Sequence, residues 1–193
     1  TDMNGHGTHC AGIVGSKNRK YVVGVAPGCS LIVGKVIGDD GLGEIRDIDR
    51  GIEWAIRSKV DVISMSLGGD GPTAREFAAK IARAISNGII VVVAAGNSGP
   101  YTNSVEAPGN FMQCVTVGAV DSSNRIARFS SRGTQIDVVA PGVDIQSTYS
   151  GGRYAKLSGT SMATPFVAGV AALFVERCKK VGMRHTQIIF ETL

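Results

Sequence analysis

Val60-Asp61-Val62-Ile63-Ser64-Met65-Ser66-Leu67, then Phe77, Ile81 and Ile85, then Gly88, then Ile89-Ile90-Val91-Val92-Val93-Ala94-Ala95: read in this order, these residues predict strand, helix, stop, strand. The first run is apolar and β-branched, as a buried strand requires. Apolar residues at 77, 81 and 85 fall every fourth position, on one helical face, and a glycine just beyond them is a C-terminal stop signal. The last run has no polar side, so both of its faces must be covered. Two such strands joined through a helix predict a parallel sheet with helices on both faces.

Outward from this unit the alternation continues. Leu31-Ile32-Val33 through Val36-Ile37 reads as a short buried strand, and Asp39-Asp40-Gly41-Leu42-Gly43 as a loop. From Glu44, apolar residues at Ile45, Ile48, Ile52 and Ile56 form one helical stripe ending near Ser58. Cys114–Val120 and Ile136–Ala140 read as two further strands, and a helix runs from near Ser161 to about Lys179. The fold class is α/β with a mostly parallel twisted sheet. Ligands bind such sheets beyond the carboxyl ends of the strands, which points to the loops Ser66–Asp70 and Gly96–Gly99.

The chain has 193 residues and 20.1 kDa, enough for one domain or a large piece of one. Hydrophobic residues at 44% and charged residues at 19% exclude disorder by composition. The net charge of +4 is spread along the chain and implies no nucleic-acid partner. The longest apolar runs, Ile89–Ala95 and Phe166–Val175 (broken by Gly169), fall short of the ~20 residues of a membrane span. The start at Thr1-Asp2-Met3-Asn4 shows no signal peptide and reads as processed or truncated. Cys10, Cys29, Cys114 and Cys178 include no C-x-x-C, which speaks against a zinc knot or thioredoxin-like site and leaves the redox compartment open.

Three segments carry chemistry. Asn4-Gly5-His6-Gly7-Thr8-His9-Cys10-Ala11-Gly12 places a histidine between glycines at the start of a helix, where it can serve as a base or merely cap the helix. Gly159-Thr160-Ser161-Met162-Ala163-Thr164-Pro165 places a serine at a helix N-terminus, whose N–H groups and positive dipole end suit a developing oxyanion. The alternative is a serine that only begins the helix. Val93-Ala94-Ala95-Gly96-Asn97 puts a side-chain amide just past a buried strand, either as an oxyanion donor or as an ordinary turn residue. Each is weak alone. Together they supply base, nucleophile and oxyanion donor.

The combination resembles the subtilisin-like serine proteases, the subtilases. The matching stretches are His6-Gly7-Thr8-His9, Ser64-Met65-Ser66-Leu67-Gly68-Gly69, Ala94-Ala95-Gly96-Asn97, Phe129-Ser130-Ser131, Ala140-Pro141-Gly142 and Gly159-Thr160-Ser161-Met162-Ala163, in family order over nearly the whole chain. The resemblance implies a three-layer subtilisin-like fold and a serine endopeptidase acting through an acyl-enzyme on Ser161. It makes His6 the general base, and Asn97 with the Ser161 N–H the oxyanion hole. Ser66, Leu67, Gly68 and Gly69 would bind substrate backbone as an added strand. Ala94, Ala95 and Gly96 would line the pocket for the residue before the scissile bond. Polypeptide substrates, and a propeptide or protein inhibitor, are the implied partners, with no nucleic acid or membrane. A secreted or extracellular setting is implied, with an intracellular one left open.

The chain departs from the family in one respect. The family's triad Asp lies on an apolar strand, before a Ser/Thr-Gly pair, well upstream of the histidine. Only five residues precede His6, and Asp2 matches the family's second acidic residue instead. Asp61 and Asp137 are each followed by Val. Residues 1–193 are therefore expected to be a single subtilase catalytic domain truncated at both ends, with an incomplete sheet and little activity alone. The alternative function is a peptide-binding fragment or pseudoprotease. A Rossmann-type nucleotide binder is excluded, since no G-x-G-x-x-G stands in a strand-turn-helix setting.

Three finer expectations follow from the resemblance. Aligning Ala107-Pro108-Gly109 on the family's aromatic-Pro-Gly places Glu106 near the specificity-pocket floor, where a carboxylate would favour Lys or Arg; alternatively it faces solvent. Ile45 and Ile48 line a second apolar pocket or simply pack in the core. No cofactor is required and no metal ligands are assigned, His6 and His9 included. A structural calcium in the loop Ser16–Tyr21 stays open, with Asn18 as a ligand and three basic residues against it.

Overall fold

The computed structural model describes residues 1–69, 74–111, 113–183 and 185, with the side chains of residues 74–77 outside that description. The expectations for the Phe77 side chain and for Asp70 fall outside the described residues. In chain order the elements are α1 (His6–Gly15), β1 (Lys17–Asn18), β2 (Val22–Val23), α2 (Ile45–Arg57), β3 (Val62–Met65), α3 (Ala74–Ser86), β4 (Ile90–Ala94), β5 (Val115–Val120), β6 (Val138–Pro141), β7 (Ile145–Tyr149), β8 (Arg153–Leu157) and α4 (Thr160–Lys180).

The strand-helix-strand unit forms where the sequence placed it. Strand β3 pairs in parallel with β4, and α3 connects them, with Gly88 beyond its end at φ +81°. That left-handed backbone is what the stop glycine is needed for. Strands β3-β4-β5-β6 make one parallel sheet in that order. Alternation along β4 divides the core. Val91 and Val93 pack with Ile48, Ile52 and Ile56 of α2 and with Ile81 and Ala84 of α3. Ile90 and Val92 pack with Val117, Ala119 and Ala140, and with Ala163, Ala168 and Val175 of α4. Val92 and Val93 are fully buried, each contributing roughly 1.5–3 kcal/mol. The result is an α/β sandwich with helices on both faces.

One expectation needs correction. Leu31–Ile37 is not a strand: it joins no sheet, and Leu31, Ile32 and Val33 are exposed. A strand is defined by a ladder partner, and among the described residues this segment has none. Ile48 belongs to the core, and Ile45 packs against the same cluster from its rim. Helix α4 is long and apolar enough to cross a membrane by composition, yet here it lies across β3, β4, β5 and β6 as a core helix. No expectation covers the antiparallel hairpin β7–β8, which packs on α1.

Candidate active site

Ser161 is the second residue of α4. The first helical amides have no intrahelical acceptor. Thr160 N–H is taken by Asn97 Oδ1 at 3.0 Å and Met162 N–H by Gly159 O at 3.0 Å. The Ser161 N–H between them has no acceptor among the described bonds. Four residues on, Pro165 lacks the N–H that would bond the Ser161 carbonyl. That carbonyl instead accepts Ser66 Oγ at 2.8 Å and Cys10 Sγ at 3.4 Å. The proline thus frees one acceptor, through which the serine turn is joined to the end of β3 and to α1. The Ser161 hydroxyl is 3.4 Å from Ser66 O, longer than a well-formed O–H···O bond.

Asn97 follows β4 on an exposed turn. Its Oδ1 accepts both the N–H and the hydroxyl of Thr160, at 3.0 and 3.2 Å. With the oxygen committed, the amide Nδ2 is left as the donor. Gly96 N–H donates to Thr160 Oγ1 at 3.2 Å, so the fully buried Thr160 ties together both ends of this arrangement.

His6 opens α1, half-buried. The helix start is capped from a distance. Asp2 Oδ1 accepts the Gly5 N–H at 2.8 Å, and Oδ2 accepts the Thr8 N–H and hydroxyl at 2.9 and 2.7 Å. Burial alone would raise the Asp2 pKa; these bonds outweigh it and bring it down to about 2. Asn4 Oδ1 accepts the His6 N–H at 3.2 Å. Burial lowers the His6 pKa, neighbouring His9 lowers it further, and Asp2 opposes both, so the imidazole is held in its basic form. Among the described residues, no side chain bonds the His6 ring. Cys10, one turn along, touches the Ser161 carbonyl and brings α1 against the start of α4. Asp61 pairs with Lys179 and Asp137 accepts the Thr116 N–H, so neither carboxylate serves the histidine.

The two expected walls, Ser66–Gly69 and Ala94–Gly96, are joined across one end by residues 106 and 107. Glu106 N–H donates to Ala95 O at 2.9 Å, and Gly69 N–H donates to Ala107 O at 3.1 Å. Ala94 and Ala95 are buried, Leu67 packs against the α2–α3 core, and Gly68 and Gly69 are exposed. Glu106 lies between the walls, half-buried, rather than in open solvent. Ile45, on α2, packs against the same α2–α3 core cluster as Leu67.

His9 is buried, with Nε2 at 2.9 and 3.1 Å from the Ile145 and Ala155 carbonyls, so it fastens α1 to the hairpin. Asn18 Oδ1 accepts the Lys20 N–H. The loop 16–21 holds no carboxylate. All four cysteines are free.

Sequence reasoning missed Thr160 and the hairpin. Ser147 and Thr148 hydroxyls donate to the His9 and Thr8 carbonyls at 2.8 Å, and Tyr149 Oη donates to Asn4 O at 2.7 Å. The Tyr149 ring covers Gly5, where a Cβ would come within 2.4 Å of it. The available signal was the polar run Ser147-Thr148-Tyr149, whose partners are distant in sequence.

Residues 1–189 match the Subtilase family. The chain is 49% identical over 180 residues to Subtilisin E of Bacillus subtilis (strain 168), covering 91% of this chain and 47% of that protein. It is 47% identical over 177 residues to Subtilisin BL of Lederbergia lenta, covering 91% of this chain and 65% of that one. The chain therefore spans between about half and two thirds of these relatives' lengths. A crystal structure of a cold adapted subtilisin-like serine proteinase superposes with a TM-score of 0.84 at 37% identity, covering 92% of this chain and 63% of that one. Sequence, fold and neighbouring chains agree: the chain belongs to the subtilase family.

Proposed function

We propose that the chain carries the nucleophile, base and oxyanion hole of a serine endopeptidase. In this reading Ser161 Oγ attacks the peptide carbonyl and passes its proton to His6. The oxyanion receives hydrogen bonds from the Ser161 N–H and Asn97 Nδ2. The C–N bond breaks as His6 returns the proton to the leaving amine, and water releases the acyl group by the same route. The observation that carries this is the pairing of Asn97 Oδ1 with Thr160, which leaves two donors at the start of α4. Substrate backbone would lie along Ser66–Gly68.

Orientation of the His6 ring falls, in this reading, to a carboxylate outside the described residues, and residues 1–193 form part of one catalytic domain that acts on polypeptides outside the cell. Without that carboxylate this chain has weak turnover. Intact mass before and after a serine-directed fluorophosphonate tests the reading, with Ser161→Ala as control. A one-to-one adduct that disappears in the variant supports an assembled oxyanion site. No adduct on the folded chain would favour a non-catalytic peptide-binding piece.

A further inference from the structure

Glu106 makes bonds that a pocket-floor residue does not need. Its Oε1 accepts the Asn97 N–H at 2.9 Å and the Ser98 hydroxyl at 2.8 Å. Both donors adjoin the amide that faces the oxyanion. The carboxylate fills space that exists only because both walls are glycine there. A Cβ at Gly96 would lie 2.4 Å from Glu106 Cδ, and one at Gly68 would lie 3.0 Å from Oε2. Gly96, at φ +99°, also has a backbone that suits only glycine. Oε2 accepts no hydrogen bond among the described residues, and it faces the exposed wall residue Gly68.

We propose that Glu106 has two tasks, one for each oxygen. Through Oε1 it is a positioning residue that holds the Asn97 turn, so that Asn97 is fixed by its backbone to Glu106 and by its side chain to Thr160. Through Oε2 it recognises a cationic side chain, Lys or Arg, entering between the Gly68 and Gly96 walls. Such a cation donates charge-assisted hydrogen bonds, which are stronger than neutral ones. The position of this side chain before a scissile bond rests on the protease reading; the cation site and the anchoring of Asn97 do not.

Glutamine separates the two tasks, because its amide oxygen can still accept both bonds while its charge is gone. The chain is titrated with benzamidine and with its uncharged counterpart benzamide, and Asn97 amide hydrogen exchange is followed by NMR. Wild type should bind benzamidine about tenfold more tightly than benzamide, and Glu106→Gln should abolish that preference. Asn97 exchange should be unchanged in Glu106→Gln and faster by about tenfold in Glu106→Ala. Equal binding of the two probes by wild type overturns the cation site. Unchanged exchange in a folded Glu106→Ala overturns the positioning role. Selective benzamidine binding without fluorophosphonate labelling would support the cation site while sinking the protease reading.

Discussion

The two helix starts that meet at the site are held in opposite ways. At α4, side chains reach into the site itself: Asn97 bonds Thr160, and Ser66 bonds the Ser161 carbonyl. At α1, support comes from behind, through Asp2, the buried His9 and the hydroxyls of β7, while the His6 ring itself is unbonded among the described residues. In the proposed reading, the nucleophile half is thus held by bonds within the chain. The proposed base has its backbone placed, while no side chain among the described residues bonds its ring. Local geometry can preorganise an oxyanion site with no triad carboxylate present, because its donors are backbone and amide groups, which need no proton transfer to be ready.

The largest effect should separate the halves. Asn97→Ala should slow fluorophosphonate labelling of Ser161 by about 10²–10³, a magnitude established for subtilisin rather than for this chain. His6→Ala should slow it less, since an unoriented imidazole contributes little. Second-order labelling rates of the two variants decide the matter. A His6→Ala loss as large as the Asn97→Ala loss would break the comparison and mean that the ring is already oriented.

A smaller effect belongs to Thr160. Thr160→Val keeps the volume but removes the hydroxyl that donates to Asn97 Oδ1 and accepts from Gly96 N–H. The backbone bond to Asn97 survives. Labelling should fall about tenfold, and stability by about 1–3 kcal/mol, because a buried N–H is left unpaired. Urea unfolding alongside labelling checks both. Loss of stability with unchanged labelling would make Thr160 a core residue only.

How far the sequence reveals this depends on how local each cause is. The β3–α3–β4 unit is legible because periodicity and a stop glycine are properties of consecutive residues. Leu31–Ile37 has strand composition and no ladder, since composition cannot supply a partner. His6, Asn97 and Ser161 are legible through short motifs in family order. The clamp on them is not: Ser147, Thr148 and Tyr149 act on residues 4–9 across the fold, and Glu106 bonds a backbone N–H nine positions away. Ile48 shows the converse, an apolar position equally suited to a pocket or to the core, which only the packing of α2 decides.

The α1 support should also respond to pH. Burial lowers the pKa of His6 and of His9 below 6.5, so below that value the unfolded chain takes up more protons than the folded one. Stability should be full above 6.5 and fall as pH drops through the lowered folded values. Asp2 acts lower: its contribution is present above 3.8 and lost as pH falls from there to about 2. Urea midpoints from pH 8 to pH 2 should therefore decline in two stages, and Asp2→Asn should flatten chiefly the second, with a smaller change in the first because the Asp2 charge also acts on His6. A midpoint that rises between pH 7 and pH 5 would contradict the burial argument.

The smallest effect is at the rim of the same support. Tyr149→Phe keeps the ring that covers Gly5 and removes only the hydroxyl bond to Asn4 O. Water can replace that bond at an exposed carbonyl, so the cost should be about 0.5–1 kcal/mol in urea unfolding. The ring matters more, because it packs on the turn that sets where His6 begins its helix. Tyr149→Ala should therefore cost more than Tyr149→Phe and should increase amide exchange at Gly5 and His6, while leaving exchange at Thr160 and Ser161 unchanged. Equal exchange changes at both helix starts would mean that α1 and α4 open as one unit, and the separation of a bonded nucleophile half from a merely placed base half would fail.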